Sequence, residues 1–151
     1  MILNKNIFYH VTRIVLAFVF IYASLDKIIH PQAFAQAVFY HQVLSDAFIN
    51  IIAIVLPWME LILGICLLFN IWMNGASILT AGLMLIFIST ITFNLLRGLD
   101  VGCGCFSTNG ESSMNSLTFI RDLIFLCLSF SLVVVVFKKD KMILHKSGAT
   151  K

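Results

Sequence analysis

The chain has 151 residues, a formal net charge of +3, 60% hydrophobic residues and only 11% charged ones. Soluble domains carry about 25% charged residues, and the shortfall here lies in long uncharged runs, which excludes a soluble globular domain. Lys138, Lys139, Lys141, Lys146 and Lys151 all follow the last apolar run, so the basic excess reads as a tail facing anionic lipid, not as a nucleic-acid surface.

A helix needs about 20 mostly apolar residues to cross the hydrocarbon core. The chain has room for four such spans. This predicts an all-α integral membrane four-helix bundle over residues 1–137 and a basic tail over 138–151. The first predicted span runs from Ile7 to Ile29 and stops at His30-Pro31. Lys5 ahead of an apolar run resembles a signal peptide. Arg13 interrupts that run, however, and Ile21-Tyr22-Ala23 makes a poor cleavage site, so the span is expected to be retained. A helical piece is predicted from Gln32 to Leu44. There Phe34, Ala35, Val38 and Phe39 recur near helical spacing, as in an amphipathic segment lying at the interface.

The second predicted span covers Ala47 to Phe69 and contains Pro57, where a kink is expected. Asn70 to Asn74 reads as a tight turn. The third span runs from Gly75 to Leu96, with Ser77, Ala81 and Gly82 offering small surfaces for helix contact. A Gly-, Ser- and Asn-rich loop spans Arg97 to Ser116, and the fourth span runs from Leu117 to Phe137. Lys5 and the tail lysines place both termini in the cytoplasm by the positive-inside rule. The first and third loops then face the periplasm or cell exterior, and the protein is expected in the cell (inner) membrane.

The third loop carries Cys103 and Cys105, flanking Gly104. Such a pair closes a small ring only if its Cα atoms come within about 4.4–6.8 Å, and Gly102 and Gly104 supply that freedom. So small a ring is expected to be strained, and strained disulfides are the labile, catalytic kind. The ring closes almost no chain, so it restricts the unfolded state little. An oxidising compartment permits the bond. Two alternatives stay open. One is a plain structural disulfide. The other is a soft-metal site for Cu(I) or Zn(II), completed by His30 or His41 on the same face. Zinc prefers four ligands and no second cysteine pair exists, so no metal is assigned. Cys66 and Cys127 lie inside spans and read as small apolar fillers.

Charges inside spans are costly and usually pair or mark a functional site. Arg13 and Glu60 are expected at similar depth. That predicts an ion pair across the first two spans, serving as bundle glue or, in a sharper reading, as a proton or quinone site. Asp26 and Lys27 close the first span, Arg97 ends the third, and Arg121 and Asp122 open the fourth. Together they predict a ring of charges below the cysteine loop. The ring is either ordinary cross-bundle pairing or a means of raising the thiolate fraction of Cys103 or Cys105, since a nearby cation lowers a thiol pKa. Trp72 and Tyr40 read as interface anchors. Trp58 reads as a packing residue, with lining of a quinone cavity as the alternative. The sequence contains no Ser-His-Asp set, phosphate loop or pair of catalytic carboxylates.

These residues together resemble the MauE family of methylamine utilisation membrane proteins, within the wider DoxX-like group. The resemblance covers nearly the whole chain. It rests on Asp26-Lys27 followed by His30-Pro31 and Phe34, on the stretch Tyr40 to Leu44, and on Leu56-Pro57-Trp58-Met59-Glu60 with Gly64. It rests further on Arg97-Gly98, on Cys103-Gly104-Cys105-Phe106, the most specific motif, and on Arg121-Asp122. Ser107 and Ser24 depart from positions where the family commonly has glycine; neither touches the thiols. The resemblance implies a four-span membrane protein. In methylamine oxidisers the family is associated with maturing methylamine dehydrogenase, whose small subunit is rich in disulfides.

The reading that joins these strands is a membrane thiol–disulfide oxidoreductase or maturation factor, acting through Cys103 and Cys105. Its expected partners are the lipid bilayer and an extracytoplasmic thioredoxin-like or disulfide-containing client, with no nucleic acid. No cofactor is fixed by the sequence; a membrane quinone is the candidate acceptor. The alternatives are a non-catalytic assembly factor with a structural cysteine pair and a soft-metal handling protein.

Overall fold

Every long uncharged run of the sequence is helical. A computed structural model describes residues 2–40, 46–97 and 116–148. Among them the helices are α1 (Ile2–Ile29), α2 (Pro31–Tyr40), α3 (Asp46–Phe69), α4 (Met73–Leu96) and α5 (Ser116–Gly148). Four are long and apolar enough to cross a membrane: α1 over Asn6–Ile29, α3 over Phe48–Phe69, α4 over Met73–Leu96 and α5 over Phe119–Lys139. The protein is an all-α, multi-pass membrane protein, as its composition predicts. The first residues of the basic segment are helical. They continue α5 to Gly148, because no helix breaker stands between Phe137 and that glycine.

The break between α1 and α2 follows from Pro31. Proline disfavours helical backbone at His30 before it but suits the first position of a new helix. The amides of His30 and Phe34 donate to the carbonyls of Asp26 and His30 at 3.0 and 3.1 Å, so little backbone is left unsatisfied at the joint. At the other end of the bundle, α3 stops at Asn70, which takes a left-handed conformation with φ 60°. The Ile71 amide reaches back to the Cys66 carbonyl at 2.9 Å, and the Asn70 amide to that of Leu67 at 3.4 Å. This is the Schellman arrangement, in which the left-handed residue is usually glycine and sometimes asparagine. The Tyr9 hydroxyl donates to Asn70 Oδ1 at 2.6 Å and ties α1 to the turn.

α1 and α3 form an antiparallel pair whose contacts run in order from Tyr9–Asn70, through Ala17 and Ile21 against Gly64, to Lys27 against Glu60. The core draws on four helices, with Leu16, Ala17 and Phe20 meeting Leu63 and Leu67, Ala76 and Leu83, and Leu132 and Val136. Pro57 faces this interior, and α3 runs uninterrupted past it. Ser77 and Ala81 are buried as expected. Gly82 is not a contact point, since a Cβ added there would meet nothing within 4 Å. The close approach falls instead at Gly64. A Cβ there would stand 2.7 Å from Ile21 Cγ1 and 3.2 Å from both the Ala17 carbonyl oxygen and the Ile21 amide nitrogen. The side chain can yield, but the backbone atoms cannot.

Gly64→Leu is therefore expected to destabilise the bundle by about 1–3 kcal/mol, the range for overpacking a tight contact. Gly82→Leu should change stability by less than about 0.5 kcal/mol. Thermal unfolding of the two detergent-solubilised variants checks both, and equal melting temperatures would contradict the assigned contact.

Candidate functional site

Leu16, Phe20, Ala23 and Ser24 are buried along one stripe of α1, and Lys27 continues that stripe. On α3, Ala53, Pro57, Leu63 and Leu67 do the same, with Glu60 in line. Helical periodicity thus carries both charged side chains inward. They meet there. Lys27 Nζ donates to Glu60 Oε1 at 2.7 Å and to Oε2 at 2.8 Å. Relative exposure is 1% for Lys27 and 2% for Glu60, so neither charge has solvent to fall back on.

Two aromatic rings complete the surroundings of the ammonium group. It lies 5.0 Å from the ring centre of Phe34 and 4.8 Å from that of Phe87. Rings at such distances attract a cation through their negative faces. Phe34 is the buried residue of α2, so this short helix sends its anchor to the charged pair. Asp122 lines the same small cavity as Lys27, Glu60 and Phe87. Arg121 Nε donates to Asp122 Oδ1 at 3.1 Å. All five helices therefore supply a side chain to one locus, in which Lys27 faces Glu60 and Arg121 faces Asp122.

The expected Arg13–Glu60 pair does not form. Arg13 and Lys27 are fourteen residues apart on α1, about 21 Å along a helix axis. The antiparallel register brings Lys27, not Arg13, level with Glu60. Depth counted from each helix's own end misjudged this, because α1 and α3 do not begin and end at one plane. Trp58 also differs from expectation. It is two residues from Glu60, on another face of α3, and points outward at 53% exposure; it neither packs the core nor lines the cavity.

The expected ring of charges is gathered only in part. Lys27 and Asp122 share the cavity with Glu60, and Arg121 pairs with Asp122. Lys27 is engaged by Glu60 and buried, so it is not presented to a thiol beyond the bundle. Asp26 is half-buried and does not line the cavity, and Arg97 is exposed with its guanidinium 5.3 Å over the Phe93 ring. Cys103, Cys105 and His41 lie outside the described residues. Their chain connection is still informative. The stretch 98–115 joins Arg97, after α4, to Ser116, which opens α5, at the end of the bundle where Lys27 and α2 lie. Cys66 packs against the core and Cys127 faces outward, so the two do not share one filler role.

The cavity beside the pair measures about 20 Å³, which is room for a single water. It does not fit a quinone ring. No group of three or more potential metal ligands occurs among the described residues.

A family model described as "Methylamine utilisation protein MauE" matches residues 5–137. The chain belongs to the MauE family. The methylamine utilization protein MauE of Paracoccus denitrificans is 31% identical over 121 residues, which are 80% of this chain and 65% of that protein. The chain thus spans just under two thirds of the length of this curated relative. No solved structure matches it. The positions that made the sequence resemble MauE proteins now have a spatial meaning. Phe34, Glu60 and Asp122 gather at the buried Lys27 ammonium, and Gly64 sets the helix contact beside it. Phe87 was missed because a phenylalanine in an apolar span carries no signal of its own. The Lys27–Glu60 pairing was legible in principle, since both residues continue buried helical stripes.

Removing one partner of a buried ion pair strands the other, at a typical cost of about 3–5 kcal/mol, whereas replacing both with apolar groups is often neutral. Lys27→Met and Glu60→Leu should each lower stability by that order. The double variant should recover most of it. Denaturation of the four proteins as a double-mutant cycle checks this, and additive losses would refute the coupling.

Proposed function

We propose that this MauE-family protein serves methylamine utilisation by exchanging disulfides with a client protein outside the cytoplasm, through Cys103 and Cys105. The relative's name supplies the metabolic setting. The chemistry comes from the cysteine pair itself, whose small ring favours a labile, exchange-competent disulfide. The observation that carries the reading is the attachment of the cysteine segment. Its two ends, Arg97 and Ser116, sit at the end of the bundle where Lys27, Glu60 and Asp122 are fixed. A rigid platform under a reactive segment is what exchange between two proteins requires.

In the exchange, a client thiolate attacks one sulfur of the Cys103–Cys105 disulfide and releases the other as a thiolate. A second client thiolate then attacks the mixed disulfide. The client leaves oxidised, and Cys103 and Cys105 are left reduced. A thioredoxin-like partner in its disulfide form restores the pair by the same two steps in reverse, taking up the two electrons. No step is routed through a quinone.

A second reading has its own support. Lys27 and Arg121 are engaged by carboxylates within the bundle, as they would be in a scaffold whose cysteine pair is only a clip.

Cys105→Ala leaves Cys103 without its resolving partner. After alkylation of free thiols, this variant should carry a reductant-sensitive adduct with a client, absent when both cysteines are replaced. The double Cys→Ser variant should accumulate in the membrane yet fail to support growth on methylamine. No adduct together with unimpaired growth would overturn exchange and favour the scaffold.

A further inference from the structure

The pairing of Glu60 with Lys27 leaves a question at the opposite end of the bundle. Arg13 lies within the membrane-spanning part of α1, and it forms no ion pair with a carboxylate whose side chain is described, Asp140 not being among these. Its Nε is buried and makes no hydrogen bond. Its guanidinium lies 5.9 Å over the ring of Tyr9, one turn nearer the start of the helix. Arginines near a span end extend in this way toward the headgroup level. Lys139, the last residue of the apolar part of α5, reaches the same ring, with its Nζ 5.0 Å from the centre. Tyr9 is itself held in place by its bond to Asn70, and His10 packs edge-on against it at 5.1 Å. Two cations from two helices thus converge on one fixed aromatic ring, at the membrane boundary of the bundle.

We propose that Arg13 and Lys139 form a binding site for the phosphate of an anionic phospholipid. Charge within a span needs a counterion, and Glu60, the carboxylate inside α3, is engaged by Lys27 at the other end of the bundle. A lipid phosphate sits at the boundary where Tyr9 holds the two cations. A guanidinium offers it a planar fork of donors, and the lysine adds a point charge. An anionic headgroup leaves the phosphate charge unbalanced, whereas a choline headgroup balances it, so the site should distinguish the two. This is the end of the bundle that the lysine distribution assigns to the cytoplasmic leaflet, which carries the anionic lipid.

The test is native mass spectrometry of the full chain in detergent, titrated in turn with phosphatidylglycerol, phosphatidylcholine and inorganic phosphate. Phosphatidylglycerol should bind most tightly. Arg13→Gln and Lys139→Gln should each weaken it about fivefold, the factor that one basic side chain contributes at a charged membrane surface. Lys141→Gln, outside the cluster, should weaken it less. If Arg13→Gln fails to fold, Lys139→Gln carries the same comparison at an exposed position. Equal affinity for the two lipids would overturn the proposal. So would displacement by equimolar inorganic phosphate, or a loss in Lys141→Gln as large as in the cluster variants.

Discussion

The bundle is organised around the ion pair between Lys27 and Glu60. In a membrane an unpaired ammonium or carboxylate is expensive, and the hydrocarbon tails offer neither anything to bond with. The two side chains must therefore meet, and a contact of 2.7 Å admits one register of α1 against α3. Other features follow from that register. Gly64 is brought against the α1 backbone, where only a hydrogen fits without displacing an atom. Tyr9 is brought to the turn that ends α3. Phe34 and Phe87 close over the ammonium from α2 and α4, which explains why so short a helix as α2 has a fixed place.

The two ends of the bundle differ in their electrostatics. Near α2, Lys27 faces Glu60 and Arg121 faces Asp122 within one locus. A site of this kind has little field to offer a neighbour but is stiff, since moving any member exposes another. It suits the support of a reactive segment better than the activation of a thiol. At the other end, Arg13 and Lys139 share an aromatic ring and form no ion pair with a carboxylate whose side chain is described. Charge left open there looks outward, to the lipid. The same rule, that charge in a membrane must be answered, is met inside the protein at one end and through the bilayer at the other.

Elementary patterning determined much of this protein. Lengths of apolar sequence fixed the number of spans, because the hydrocarbon core sets a minimum helix length. Pro31 marked the joint between α1 and α2, because its ring and missing amide act within a residue or two. The Cys103–Gly104–Cys105 run, the lysine-rich end and the family resemblance were equally local and equally legible. Which charge answers Glu60 was not. Arg13 and Lys27 are both cations on the same helix, and the choice depends on the relative sliding of α1 and α3, which no residue encodes alone. Trp58 and Gly82 failed for the same reason, since the outward or inward sense of a helix face is set by its neighbours. Composition and local stereochemistry act over a few residues and survive in one dimension. Register, facing and the pairing of buried charges are properties of helices against each other, and only the packed bundle decided them.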